Sequence, residues 1–292
     1  MTNNKKRINE DLVSVIMPTY NSSRFVAESI ESILHQTYSN IELLITDDCS
    51  TDNTTEIINY YAKKDKRVKC FSLSESMGAG HARNYSIQKA NGRYIAFCDS
   101  DDIWMTDKLE KQIAYMQEKK CSFCFSSYFV CDETGTQTSI VLAPHSVSLA
   151  DTKRDDKIGF LTAVYDTYAY GKFYMPTLRK RQDWAYVLLI LQKCKRAFAL
   201  REPLAYYRKS KGSISSNKLS LIKFNAKVYE TVFGYSTFLA YFYLFSLFLP
   251  SYFLKRVNHK FTNIYYRKTL SAQTSGRITQ TNKMSPIYKT KH

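Results

Sequence analysis

Four short apolar runs punctuate the first hundred residues, and a segment of helical spacing follows each of the first three. Leu12-Val-Ser-Val-Ile-Met17 reads as a buried strand that stops at Pro18. Asn21-Ser-Ser23 then supplies a turn and a cap, and Phe25, Val26, Ile30, Ile33 and Leu34 recur at helical spacing. Residues 41–46 form a second run ending in Asp47-Asp48, after which Asp52 caps a helix carrying Ile57, Ile58 and Tyr61. A strand over 68–73, a helix over 80–90 and a fourth strand over 94–98 complete the series. Strands alternating with helices of this length predict right-handed βαβ units on a mostly parallel sheet flanked by helices, a Rossmann-like α/β fold. Farther on, residues 107–118 read as amphipathic helix, 121–131 as strand and 183–192 as helix, while 132–158 are turn-rich and carry no assignment.

The fourth strand runs into Asp99-Ser100-Asp101. In an extended chain residues two apart face one side, so Asp99 and Asp101 would aim two carboxylates beyond the strand's carboxyl end, where open α/β sheets bind ligands. Such a pair suits a hard divalent cation that fills its remaining positions with water and phosphate oxygens. The competing reading is a turn in which Asp102 caps a helix beginning at Ile103-Trp104. Pro18-Thr-Tyr-Asn21 and Thr46-Asp-Asp48 end two further strands, and an acid there can accept from a base N–H or a ribose hydroxyl. Together these strand ends look like a nucleotide slot with a metal at its phosphate end. Met77-Gly-Ala-Gly-His-Ala-Arg83 leads into a helix but is not the dinucleotide fingerprint, because Arg83 stands where the third glycine belongs. Arg83 either steadies a diphosphate, holds the acidic cluster, or is a surface arginine after a glycine turn.

The net charge of +16 invites an anionic partner. Nine Lys/Arg and no acid lie between 255 and 292, so over half the excess sits at that end. The part bearing the strand ends shows no helix-turn-helix and no paired zinc ligands, which argues against nucleic acid. The seven Cys are scattered. Cys121-Ser-Phe-Cys124 lacks a second pair, and strand alternation would send its sulfurs to opposite faces, which disfavours zinc and suits a reduced, cytosolic chain. Residues 1–11 are polar and charged, unlike a signal peptide.

Several linked motifs, in order, resemble glycosyltransferase family 2: Val13-Ser-Val-Ile-Met-Pro-Thr-Tyr-Asn21, His35-Gln-Thr-Tyr38, Asp47-Asp-Cys-Ser-Thr-Asp52, Ala82-Arg-Asn84 and Gly92-Arg-Tyr-Ile-Ala-Phe-Cys-Asp-Ser-Asp-Asp102. The resemblance spans residues 12–217 and implies a GT-A fold with inverting sugar transfer from a nucleotide donor, UDP being the favoured nucleotide. It implies that Pro18, Thr19, Tyr20 and Asp48 line the donor pocket. By the same resemblance Asp99 contacts the ribose or metal region and Asp101, with Asp99, holds Mn²⁺ or Mg²⁺; Arg83 and Ser100 are expected to bind substrate beside them. It further implies a catalytic base within an acidic pair of the second half. Here that place reads Arg179-Lys-Arg-Gln-Asp-Trp184, with Gln182 where Glu is commoner, Asp183 the candidate base and Trp184 expected against substrate. Branches that build bacterial capsule, teichuronic-type and lipopolysaccharide chains are similar, including Tyr174-Met-Pro176 and Tyr207-Arg208, and imply a lipid-linked saccharide acceptor. Without the resemblance, Asp183 reads as an ordinary helix N-cap.

Residues 231–254 carry no charge and are dense in Phe, Tyr and Leu, long enough to span a bilayer. Their Gly, Ser, Thr, Pro and Tyr content suits an interfacial helix better. A single span would also export the basic end, against the positive-inside preference. The expectation is a helix lying in or dipping into the cytoplasmic face of the bacterial inner membrane, its basic end held by anionic lipid; a core helix packed on the sheet is the alternative. The expected division is a polar tail (1–11), a nucleotide-sugar half (12–105), an acceptor and catalytic half (106–220), membrane-associating helices (221–260) and a basic, disordered tail (261–292). Three other functions compete. A processive synthase would need several spans and a Q-x-x-R-W signature. A metal-dependent nucleotidyltransferase should carry a glycine-rich loop with Arg or Lys straight after the first strand. A non-catalytic nucleotide-binding or membrane-scaffolding protein would bind a nucleotide sugar without consuming it.

Overall fold

In the computed structural model, which describes residues 11–209, 218–251 and 254, strands β1 (Val13–Thr19) and β2 (Ile41–Asp47) bury all seven of their residues. Strands apolar on both faces belong inside a sheet covered on both sides. Helices α1 (Val26–Leu34), α2 (Thr54–Lys64) and α3 (Ala79–Lys89) link β1, β2, β3 (Val68–Ser72) and β4 (Tyr94–Phe97) in strict alternation. All pairings in this part are parallel, in the order β3-β2-β1-β4. Gly92 precedes β4 because a Cβ there would lie 2.6 Å from the Ser14 backbone nitrogen, and its own N–H donates to Ser14 Oγ at 2.8 Å. Close approach of β4 to β1, more than a turn, requires glycine there.

The second part is mixed. Short β5 (Ile103–Trp104) precedes α4 (Lys108–Lys119), β6 (Phe123–Cys131), β7 (Gln137–Val141), β8 (Ser146–Ser148) and α5 (Leu149–Arg154). A 3-10 turn at Phe160–Thr162 leads to β9 (Val164–Asp166), α6 (Thr167–Tyr170), α7 (Gln182–Cys194) and β10 (Arg196–Arg208). These strands extend the sheet as β4-β9-β6-β10-β5, with β7 on β6 and β8 on β10. β9 is antiparallel to both neighbours, whereas β6 and β10 are parallel. The turn-rich stretch without an assignment thus holds β7, β8 and α5. Cys121 lies before β6, so the alternation argument does not reach it; all seven Cys are free thiols.

α8 (Lys218–Phe233) and α9 (Thr237–Tyr243), continued by a π-helical turn at Leu244–Phe248, follow the sheet. Among the described residues no single helix is long and apolar enough to cross a membrane, but Ile222–Phe233 and Thr237–Ser251 form a pair bent by 116° that passes together. Ala226, Tyr229, Ala240, Leu244 and Phe248 pack on Trp184, Ala185 and Leu188 of α7. The expected polar N-terminal tail, apart from Asp11, and the basic, disordered tail lie outside the described residues.

Candidate functional site

The neighbour of β1 changes from β2 to β4 across the carboxyl ends of these strands, the switch point at which open α/β sheets bind ligands. The last β1–β4 ladder bond runs from Cys98 N to Ile16 O at 3.1 Å. Pro18 lies past it, inside β1 rather than at its end, where its missing N–H costs no ladder bond. Thr19 is buried and donates to Asp47 Oδ1 at 3.0 Å; Tyr20 follows with 55% of its surface exposed. The loop then turns at Asn21 (φ +47), whose Oδ1 accepts from Thr51 N at 2.8 Å. The residue before α1 is Phe25, without a side-chain cap, so Asn21-Ser-Ser23 shapes the turn and does not cap the helix. Ser22 Oγ instead meets Ser100 Oγ at 2.7 Å, bridging the ends of β1 and β4.

The acids after β2 are spent on the walls of the crevice. Asp47 also accepts from Ser50 N at 2.9 Å. Asp48 is buried and accepts from Met77 N (2.7 Å), Gly78 N (2.9 Å) and Ser76 Oγ (2.9 Å), filling three of a carboxylate's roughly four acceptor sites. Asp48 therefore fixes the 76–78 loop at the end of β2. Asp52 takes Thr54 N at 3.0 Å and Ser23 N at 3.1 Å; burial opposes its charge, but these bonds and the Thr54 hydroxyl outweigh it and hold the carboxyl at about 2.

Residues 99–102 form a turn, with Asp102 N donating to Asp99 O at 3.1 Å, so strand alternation does not govern Asp99 and Asp101. The two acids nonetheless interact: burial first and the Asp99 charge second push Asp101 up to about 6, against the pull of Arg208 and Arg83. Asp102 caps no helix, because Ile103–Trp104 is strand β5, antiparallel to β10; its buried carboxylate accepts from Arg208 N at 3.0 Å. Arg83 is no surface residue. It is buried, donates to Asp99 Oδ1 at 2.5 Å, stands 5.4 Å over the Phe160 ring, and keeps a buried Nε without a partner. Arg208 closes the floor: its Nε donates to Asp101 O at 2.9 Å, its Nη2 to Glu28, and its guanidinium stacks 4.5 Å over Phe25. Glu28 had no role in the sequence reading, Ser22 none beyond the turn and cap, and Arg208 none beyond the resemblance. Their partners lie 78 and 180 residues away in the chain, so no local signal could have shown them.

Asp183 stands in the first turn of α7, partly exposed, with no hydrogen-bond partner among the described residues. It is not the N-cap; that place belongs to Arg181, which is left-handed (φ +65) and makes no side-chain cap bond. The preceding residue ties this end of α7 to α3: the Gln182 amide donates to Leu178 O and lies where a Cβ on Gly80 would fall, 2.6 Å away. Gly80 is three residues before Arg83 on α3, so this contact sets the start of α7 against the helix that carries Arg83. A Glu at 182 could not make the donated bond, a physical reason for the unusual Gln. Trp184 is corrected: it is fully buried, donates from Nε1 to Thr152 O at 2.9 Å, and packs against Tyr229 and Phe248. It supports α7 from behind and does not touch the crevice.

Among the described residues no cluster of three or more His, Cys, Asp or Glu is placed to hold a metal. Asp101 and Asp99 are an all-oxygen pair whose repulsion in a partly buried place a divalent cation would relieve, and such cations take few protein oxygens when substrate phosphate supplies others. The donor chemistry fits.

The profile of glycosyl transferase family 2 matches residues 14–173, ending before Asp183. TuaG of Bacillus subtilis (strain 168), a glycosyltransferase assigned to teichuronic acid biosynthesis, is 41% identical over 222 residues, 76% of this chain and 88% of that one. WfgD of Escherichia coli, a UDP-Glc:alpha-D-GlcNAc-diphosphoundecaprenol beta-1,3-glucosyltransferase, is 36% identical over 212 residues, 73% of this chain and 83% of that one. Staphylococcus aureus TarS 1-349 in complex with UDP-GlcNAc superposes with a TM-score of 0.60 at 24% identity, covering 74% of this chain and 65% of that one, a likeness of fold. With its parallel half-sheet, its polar switch-point crevice and these matches, the chain belongs to glycosyltransferase family 2.

Proposed function

We propose that the chain is an inverting glycosyltransferase that moves one sugar from a nucleotide sugar, with UDP as the nucleotide, to a lipid-linked saccharide during bacterial surface-polysaccharide assembly. The observation that carries this reading is the placement of two separate carboxylate sets around one helix, α3. Asp99 and Asp101, with Arg83, gather at the end of β4, and Asp183, a carboxylate with no hydrogen-bond partner among the described residues, is tied to the same region through Gln182 and Gly80. Relatives of high coverage act on such substrates: WfgD and WfaP of Escherichia coli are named for transfer from UDP-Glc to a diphosphoundecaprenol-linked sugar.

Thr19 and Tyr20 line the base end of the donor pocket, Pro18 shapes its floor, and Asp48 contributes through the 76–78 loop. Ser100, bridged to Ser22, sets the spacing of the two strand ends. Asp101 and Asp99 would hold Mn²⁺ or Mg²⁺, which when bound neutralises negative charge growing on the departing nucleoside diphosphate. Arg83 holds Asp99 in place and adds fixed positive charge beside the diphosphate. Asp183 accepts the proton of the acceptor hydroxyl as that oxygen attacks the anomeric carbon from the face opposite the leaving group, which inverts the centre. The enzyme works at the cytoplasmic face of the inner membrane, peripheral or dipping, on an anionic lipid surface.

The test is a screen of nucleotide sugars for metal-dependent release of the nucleoside diphosphate, with calorimetry of donor binding. Asp183→Asn is expected to lower transfer by about 10²–10⁴-fold with donor binding kept, whereas Asp101→Ala weakens metal-dependent donor binding itself. Normal turnover by Asp183→Asn would remove that residue from its role. A donor bound but never consumed would return the chain to a non-catalytic nucleotide-binding function.

A further inference from the structure

The helix from Thr237 to Ser251 is apolar on two sides, and among the described residues only one of them is covered. Ala240, Leu244 and Phe248, four residues apart, are buried against α7, with the Phe248 and Trp184 rings 5.0 Å apart. Phe238, Phe242 and Phe245, at the spacing that lines one helix face, are 83%, 56% and 55% exposed. Leu254 extends the same apolar end at 67% exposure. A single exposed Phe needs no explanation, but a row of three does.

Charge decides what covers this row. Residues 231–254 contain no Lys, Arg, Asp or Glu, and the 38 residues that follow contain nine Lys/Arg and no acid. Those cations would repel a second copy of the chain, and an acidic protein would leave the aromatic row without an apolar partner. An apolar face followed in the sequence by concentrated positive charge matches a bilayer whose head groups are anionic.

We propose that Phe238, Phe242 and Phe245 insert into an anionic lipid surface, and that α7, clamped to the opposite side of the same helix through Trp184, holds Asp183 at a set height above that surface. Trp184 is the next residue after Asp183, and its ring lies between Tyr229 of α8 (5.5 Å) and Phe248. A reactive hydroxyl carried on a lipid is confined to a layer close to the head groups, so a base held rigidly relative to the inserted face meets it without a search in depth. This rests on the proposed function for the lipid-linked acceptor and for the role of Asp183; the inserted face itself does not.

The experiment uses the full chain with vesicles of phosphatidylglycerol or of phosphatidylcholine alone, read by flotation, and compares it with a Phe238→Ser, Phe242→Ser, Phe245→Ser variant. Phe238→Ser alone serves as a milder variant if circular dichroism shows that the triple one is misfolded. The wild type is expected to float with phosphatidylglycerol and not with phosphatidylcholine, and the variant to lose binding by about tenfold or more. Metal-dependent release of nucleoside diphosphate with a soluble saccharide acceptor should be unchanged in the variant, while turnover of the same saccharide on a vesicle-embedded lipid falls in parallel with binding. Undiminished flotation of the variant, or a wild-type dimer that the substitutions convert to monomer, would overturn the inserted face. Absence of donor turnover in the wild type with flotation intact would overturn the transferase reading and leave the face standing.

Discussion

Arg208 holds several parts of the site together at once. Its backbone N–H fixes Asp102, its side chain holds the Asp101 carbonyl and Glu28, and it is buried against Phe25. Arg208→Met leaves Glu28 without its cation and removes a positive charge that steadies Asp101. Denaturant unfolding should show a loss of about 3 kcal/mol, and donor binding should weaken. Lys108 is the opposite case, a buried residue with no evident part in the site. Its Nζ has no hydrogen-bond partner among the described residues and lies 3.8 Å from the Trp104 ring centre, and burial pushes it down to about 7 from 10.5. Above about 10.5 the amine is neutral in both states. As pH falls toward 7 the unfolded chain takes up the proton and the folded one does not, so stability declines across that window and is lowest below 7. Lys108→Met should raise stability by about 1–3 kcal/mol at neutral pH and flatten its rise between pH 7 and 10, as read by chemical denaturation at several pH values.

At the scale of elements, α7 joins two jobs. Its first turn presents Asp183, and its body is the face on which α5, α8 and α9 pack. Trp184→Ala empties the centre of that packing and should cost about 3–5 kcal/mol in thermal or denaturant unfolding, with transfer lost alongside. Gly92→Ala would force β4 away from β1 at the Ser14 backbone and is expected to misplace the 99–102 turn, lowering both melting temperature and donor affinity. The elements were legible where periodicity was strong: β1 to β4 and α1 to α3 lie within a few residues of where apolar spacing put them. The turn after β4 was not, because whether Asp99-Ser100-Asp101 continues a strand or folds back depends on Ile103 and Trp104 of β5 pairing with Tyr206 and Ala205 of β10, far along the chain. Trp184 was misassigned for a similar reason, since a tryptophan beside a candidate base reads the same whether it faces substrate or core.

As a whole molecule the chain rests on one ten-stranded sheet, and Phe97 of β4 packs against Phe160, Tyr165 and Tyr186 at ring distances of 4.3, 6.5 and 5.4 Å. The nucleotide-sugar half therefore lacks a finished core of its own. A fragment covering residues 11–105 should show no cooperative unfolding transition, with β4 left as an open edge. The full chain should unfold in one transition with matching calorimetric and van't Hoff enthalpies; a separable first transition would contradict this. What the sequence determined alone was set by local rules: apolar period gave strands and helices, their alternation gave the parallel half-sheet, and strand-end polar residues marked where a ligand sits. What only the tertiary structure decided was how each polar group is spent. Asp48 and Asp102 are consumed in bonds to distant backbone, Arg83 is buried on Asp99, and Asp183 has no hydrogen-bond partner among the described residues. Hydrogen-bond partners many residues apart in sequence are chosen by packing, and no spacing along the chain encodes them.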